Sequence, residues 1–271
     1  MSIWVLRGLR DGVVTTRWPG RPDPYAGSWR GPARALGPAG PVDQALCPTG
    51  AISAHGVDQG KCILCGRCVA ERPDLFAWSQ GATGLAAAAL NREALVVPEA
   101  PETDRAVQTA RARLRKHTAA LRRSVHVRHV DAGSDGSDEW EIQALLGPVY
   151  DVHRLGIFFT PSPRHADILL VTGAGARGMA EPLRQTYDAM PEPKIVIAVG
   201  TDAVSGGLAS PSYAVTGGIG GIVPVDVWVP GSPPTPFSIL HALLLALGRL
   251  PAARAGEKAG SAARAGEGAR P

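Results

Sequence analysis

The second half of the chain carries short, β-rich apolar runs at residues 125–130, 168–171, 195–199 and 225–229. Between them lie stretches with apolar residues at helical spacing, such as 179–190, and strands alternating with helices predict a parallel α/β sheet. Three of the runs end at loops opened by Gly173, Gly200 and Pro230. Ligand crevices of open α/β sheets lie at the carboxyl ends of the strands, so these loops are where function is expected. Thr235 and Pro236 then supply an N-cap and a first-turn proline for a closing helix, whose apolar stripe within 237–250 reads as core.

The first half differs. Residues 1–45 are rich in Gly, Pro and Arg and show little periodicity, and all four cysteines crowd between positions 47 and 68. From 101 to 123, Glu102, Asp104 and Arg105 open a helical pattern that reads as a linker. Near the end, Ala-Ala-Arg-Ala-Gly-Glu occurs at 252–257 and again at 262–267 with no large apolar residue, so burial cannot offset the entropy of ordering and a disordered tail is expected. The plan is a unit at 1–80, a linker at 81–123, an α/β unit at 124–250 and a tail at 251–271.

Charge and composition narrow the partners. Of the net charge of +4, the tail's four cations and two acids contribute +2, which leaves the remainder only weakly basic. The single basic run, 111–123, has no interleaved aromatics, so nucleic-acid binding is not expected. No stretch has the form of an export signal or a membrane span, and a cytoplasmic setting is the expectation. In a reducing compartment, four cysteines are more readily used for metal ligation than for disulfides.

Cys62-Ile-Leu-Cys65-Gly-Arg-Cys68 is a C-x2-C-x2-C triplet, and Cys47-Pro48 lies fifteen residues upstream of it. In bacterial-type ferredoxins a triplet takes its fourth ligand from a remote cysteine followed by proline, so Cys47, Cys62, Cys65 and Cys68 form one complete [4Fe-4S] ligand set. Zinc on the same four thiolates is the bland alternative, and a disulfide pair the third. Zinc ligands more often come as two C-x2-C halves, which favours the cluster. Counted at the same spacing, the ligands of a second cluster would fall on Gly37, Gly40, Asp43 and Arg72, and none is a cysteine.

Residues 8–80 resemble the two-cluster ferredoxin subunit shared by complex I and formate hydrogenlyase-type hydrogenases. The similarity is carried by Gly12-Val-Val-Thr-Thr-Arg-Trp-Pro19, Trp29-Arg-Gly31, residues 47–52 and residues 60–68. Residues 124–250 resemble the small subunit of group 4 nickel-iron hydrogenases, homologous to the cluster N2 subunit of complex I. There the matching stretches include His129-Val-Asp-Ala-Gly-Ser134, Tyr150-Asp-Val-His-Arg-Leu-Gly156, Ser162-Pro-Arg-His-Ala-Asp167 and Val229-Pro-Gly231.

Together these imply a ferredoxin-like (α+β) iron-sulfur domain followed by a doubly wound, flavodoxin-like domain. They also imply a non-autonomous electron-transfer or accessory subunit with one [4Fe-4S] cluster. Its partners would be a hydrogenase-like or complex I-like large subunit, membrane subunits and a ferredoxin-type donor, placing it on the inner face of the cell membrane. A non-catalytic scaffold or redox sensor with a structural cluster is the alternative.

At the positions where the second family binds its own cluster, this chain has Asp135, Asp138, Asp202 and Ser232. Hard oxygen donors suit iron-sulfur clusters poorly, so no cluster is expected there. Burying carboxylates needs compensation, either from a divalent cation or, the favoured reading, from a wet crevice with partners such as Arg164 or Arg177. His165 reads as a structural hydrogen-bonding residue. Gly217-Gly218-Ile-Gly220-Gly221 reads as a turn, because it lacks phosphate-loop spacing. No Ser-His-Asp pattern or spare cysteine offers a nucleophile.

Overall fold

The computed structural model describes residues 3–21, 23, 30–80, 89–97, 112 and 124–250. The expected linker helix at 101–123, apart from the helical Ala112, and the expected disordered tail at 251–271 lie outside the described residues.

The first half contains α1 (Ile3–Asp11), β1 (Arg30–Ala35), α2 (Pro41–Gln44), β2 (Ile52–Ser53), β3 (Gly56–Asp58), α3 (Arg67–Glu71), β4 (Phe76–Gln80) and β5 (Val96–Val97). β1 pairs antiparallel with β4, and β2, β3 and β5 form a second antiparallel sheet. A small core of Ala39, Ala51, Ile52, Val57 and Phe76 packs against Cys47, Cys62 and Cys68. Helix α1 falls where the sequence shows little periodicity. With nine residues it is too short for a helical period to repeat visibly, and none of its residues is buried.

The second half contains β6 (Val125–Asp131), α4 (Ser137–Ala144), β7 (Ile157–Phe159), β8 (Ile168–Thr172), α5 (Arg177–Ala189), β9 (Ile195–Val199), α6 (Gly200–Ser205), β10 (Val227–Val229) and α7 (Pro236–Ala246). All five strands are parallel, in the order β7-β6-β8-β9-β10. Numbered within this sheet, that is 2-1-3-4-5, the flavodoxin-like doubly wound order. Every residue of β8 and β9 is buried, as expected for strands covered on both faces and read as unbroken apolar runs.

One face of the sheet packs against Ile142 and Leu145 at α4 and against α7, which is buried throughout. The other packs against Leu183 of α5, Ala203 and Val204 of α6, and the segment around Leu95. The predicted strands and the closing helix are present. Strand β7 is not among the predicted runs: Ile-Phe-Phe, set between Gly156 and Thr160-Pro161, lacks the Val-x-Val-x-Val alternation that marks 225–229.

The two halves touch. Ala89 and Trp228 exchange backbone hydrogen bonds of 3.0 and 2.9 Å, extending the sheet at β10, and the Thr201 hydroxyl donates to the Cys62 carbonyl at 3.1 Å.

Candidate functional site

Cys47, Cys62, Cys65 and Cys68 line one pocket, walled by apolar groups that include Ala33, Leu46, Ile52, Val57 and Trp78. Local backbone geometry brings them there. Thr49 donates to the carbonyl of Lys61 at 2.6 Å, tying the Cys47-Pro48 segment to the start of the triplet, and the Ala51 amide donates to Cys47 Sγ at 3.2 Å. Between Cys65 and Cys68, Gly66 takes φ 75 beneath Trp78, where an added Cβ would lie 2.7 Å from the ring. Helix α3 then starts at Arg67 and carries Cys68 in its first turn.

All four cysteines are free of disulfides. Burial pushes the Cys62 thiol up, the Ala33 and Leu64 amides pull it back, and the nearby Cys47 and Cys65 push further. Cys68 is raised first by burial and next by Cys62. Soft thiolate donors suit an iron-sulfide core, whose positive charge would offset part of the repulsion among four sulfurs in an apolar pocket. Among the described residues, no three His, Cys, Asp or Glu side chains gather closely enough to hold a single metal ion.

Of the four positions counted for a second cluster, Asp43 and Arg72 form an ion pair and the other two, Gly37 and Gly40, are glycines. Arg72 Nη1 donates to Asp43 Oδ1, Asp43 Oδ2 accepts from the Gly40 amide at 2.9 Å, and Arg72 also grips Asp74 at 2.9 and 3.0 Å.

At the carboxyl ends of the parallel strands the acidic residues separate into different environments. Asp135 is exposed and accepts from the Ser137 amide at 2.9 Å and hydroxyl at 2.6 Å, bonds that hold its carboxyl below the usual range. Asp138, in the first turn of α4, is 3% exposed and packs so closely on Gly200 that a Cβ there would meet its carboxyl oxygen at 2.1 Å. Its carboxyl is pushed up to about 8, by burial first and then by Asp202 and Glu139. Asp202 is also raised, by burial and then by Asp135. Ser232 is half-buried on the loop after β10.

The expected arginine partners are not there. Among the described residues, neither Arg164 nor Arg177 pairs with these carboxyls, and no cation-binding group forms. Burial, and then the neighbouring carboxyls, shift Asp138 toward its neutral form, the direction that lessens the cost of a buried charge.

A second polar cluster, which the sequence does not announce, lies at the β6/β8 switch point. Glu139 accepts from the hydroxyls of Thr172 and Ser134, the latter at 2.6 Å, while His129 Nε2 lies 3.1 Å from Thr172 Oγ1. Asp131 gathers the amides of Gly133 and Ser134 at 2.8 and 2.7 Å. Burial lowers His129, against the pull of Glu139. A buried threonine closing an otherwise apolar strand is the one signal the sequence offers for it. His165, expected to bond its loop through the side chain, is exposed.

Comparison with known proteins places the α/β half in a family. Residues 136–246 match the model for the NADH ubiquinone oxidoreductase, 20 Kd subunit. The chain is 43% identical over 159 residues to formate hydrogenlyase subunit 7 of Escherichia coli (strain K12), covering 59% of this chain and 61% of that protein's length. It is 44% identical over 144 residues to the probable membrane-bound hydrogenase subunit mbhJ of Pyrococcus furiosus, covering 52% of this chain and 86% of the relative. An NADH-quinone oxidoreductase subunit of Rhizobium meliloti (strain 1021) is 46% identical over 106 residues, which are 39% of this chain and 63% of the relative. Through its α/β half, the chain belongs to the family of the NADH ubiquinone oxidoreductase 20 Kd subunit.

Proposed function

We propose that this chain is an iron-sulfur electron-transfer or accessory subunit of a hydrogenase-like or complex I-like oxidoreductase, holding one [4Fe-4S] cluster on Cys47, Cys62, Cys65 and Cys68. The observation that carries this reading is the convergence of all four cysteines on one apolar pocket. Such a cluster supplies reversible one-electron storage; the chain's part is to hold it, exclude water with Trp78 and Ile52, and dock it on the α/β half. Residues 1–80 act in this reading as a ferredoxin-like unit fused to the 20 Kd-type domain, and 81–123 as the link between them.

The relatives' names, subunits of a formate hydrogenlyase, a membrane-bound hydrogenase and an NADH-quinone oxidoreductase, support a place among partner subunits. In this reading the partners are a large subunit, membrane subunits and a ferredoxin-type donor, and they hold the chain at the inner face of the membrane. No described helix is long and apolar enough to cross a membrane.

A second reading, an assembly scaffold or redox sensor with a structural cluster, is favoured by the fate of the neighbouring sites. Arg72–Asp43 fills one and the buried Asp138 occupies the other, so onward transfer needs a partner's cofactor within reach. Anaerobic purification with iron and sulfide analysis, and paramagnetic resonance after dithionite reduction, tests both readings on wild type and Cys65→Ser. About four irons per chain and one signal, lost in the variant, is the expected result. Zinc or no metal would remove electron transfer. A cluster that cannot be reduced and reoxidised would leave the scaffold.

A further inference from the structure

Thr201, near the start of α6, is 1% exposed. Its hydroxyl donates to the Cys62 carbonyl at 3.1 Å, and the Gly231 amide donates to Thr201 Oγ1 at 3.4 Å. Its own amide donates to the Gly231 carbonyl at 2.6 Å, so the side chain is fixed by the loop leaving β10. The Cys62 peptide is therefore held by a buried residue 139 positions downstream.

That peptide opens an unusual turn. Leu64, two residues on, takes φ 58, a left-handed setting that bulky L residues rarely adopt, and Gly66 follows at φ 75. Cys62 and Cys65 both ride on this turn. On its other shoulder, Gly60 fits so tightly that a Cβ would fall 2.6 Å from Val204 Cγ1, so the loop rests on α6 at two points.

We propose that Thr201 is a positioning residue for the thiol site, its hydroxyl fixing the Cys62 peptide and with it the geometry of the Cys62-to-Cys65 turn. The role refines the iron-sulfur reading and rests on it for its redox consequence. Valine at 201 keeps the β-branched shape but removes the donor, leaving the Cys62 carbonyl without its hydroxyl partner; serine restores it. Amide groups around cluster sulfurs help set the potential, so a released turn alters it.

The experiment compares full-length wild type, Thr201→Val and Thr201→Ser. Redox titration followed by paramagnetic resonance is run on the iron-loaded proteins, and amide exchange across 62–65 on the metal-free ones. Thr201→Val is expected to show a lower potential, an altered signal and faster exchange, with Thr201→Ser like wild type. Loss of iron from the valine variant alone would support the same role. A valine variant matching wild type in potential, signal and exchange would overturn it, as would a serine variant behaving like valine. Wild type without iron would instead sink the cluster reading, and the exchange comparison would still decide the role of Thr201.

Discussion

Arg72 closes an ion pair on Asp43 across 29 residues of chain, and Asp43 is only 8% exposed. Both are positions on which the sequence-based count for a second cluster fell, and here they form a compact charge pair that also caps α2 through the Gly40 amide. Replacing Arg72 alone strands a mostly buried carboxylate, which costs more than removing both partners. Arg72→Ala should lower the melting temperature by a few degrees, and the Arg72→Ala/Asp43→Asn double variant by less. A double-mutant cycle followed by thermal denaturation checks this; strict additivity would show that the pair is uncoupled.

Burial pushes the Asp138 carboxyl up to about 8 in the folded chain, from 3.8. The fold holds this proton more tightly, so the contribution to stability is fully present below the unfolded value and is lost as pH rises through about 8, up to a limit on the order of 5 kcal/mol. Asp138→Asn keeps the shape without the ionisation. Urea midpoints measured from about pH 5 to about pH 9 should fall steeply for wild type and flatten in the variant. Parallel curves would place the titration elsewhere.

His241, on the buried helix α7 beside Trp18, has no partner for Nε2, and burial pushes it down to about 4. Here the sign is opposite. Stability is present above the unfolded value of 6.5 and is lost as pH falls through about 4, by roughly 3 kcal/mol at most. His241→Leu should therefore gain more over wild type at pH 5 than at pH 7.5 in guanidinium titrations, and an equal gain at both would be evidence against this account.

The closing helix begins where Thr235 Oγ1 accepts from the Ser238 amide at 3.2 Å. Thr235→Ala should cost about 1 kcal/mol and Thr235→Ser much less, measured by chemical denaturation.

The parallel sheet was legible because β8 and β9 are buried on both faces and leave unbroken apolar runs, and the closing helix because its cap is a local signal. The gathering of the four cysteines around one pocket was foreshadowed by their close spacing along the chain. What could not be read is what depends on the fold bringing distant segments together. The pairing of Arg72 with Asp43 needed the turn at Pro73, and the separate fates of Asp135 and Asp138 needed the close approach of Gly200. The junction of Cys62 with Thr201 joins segments far apart in the chain. Strand β7 was missed for another reason: it lacks the alternation that marks 225–229.

The exchange of backbone hydrogen bonds between Ala89 and Trp228 has a practical meaning for dissection. It covers part of β10, the border strand of the parallel sheet. An exposed border strand is a template for pairing with other copies. A fragment beginning at Val125 would lose this cover, together with the support that the segment around Leu95 gives to α6. Truncation to the family-like half should therefore yield a self-associating product, which makes the N-terminal segment a guard against aggregation as well as a carrier of thiols.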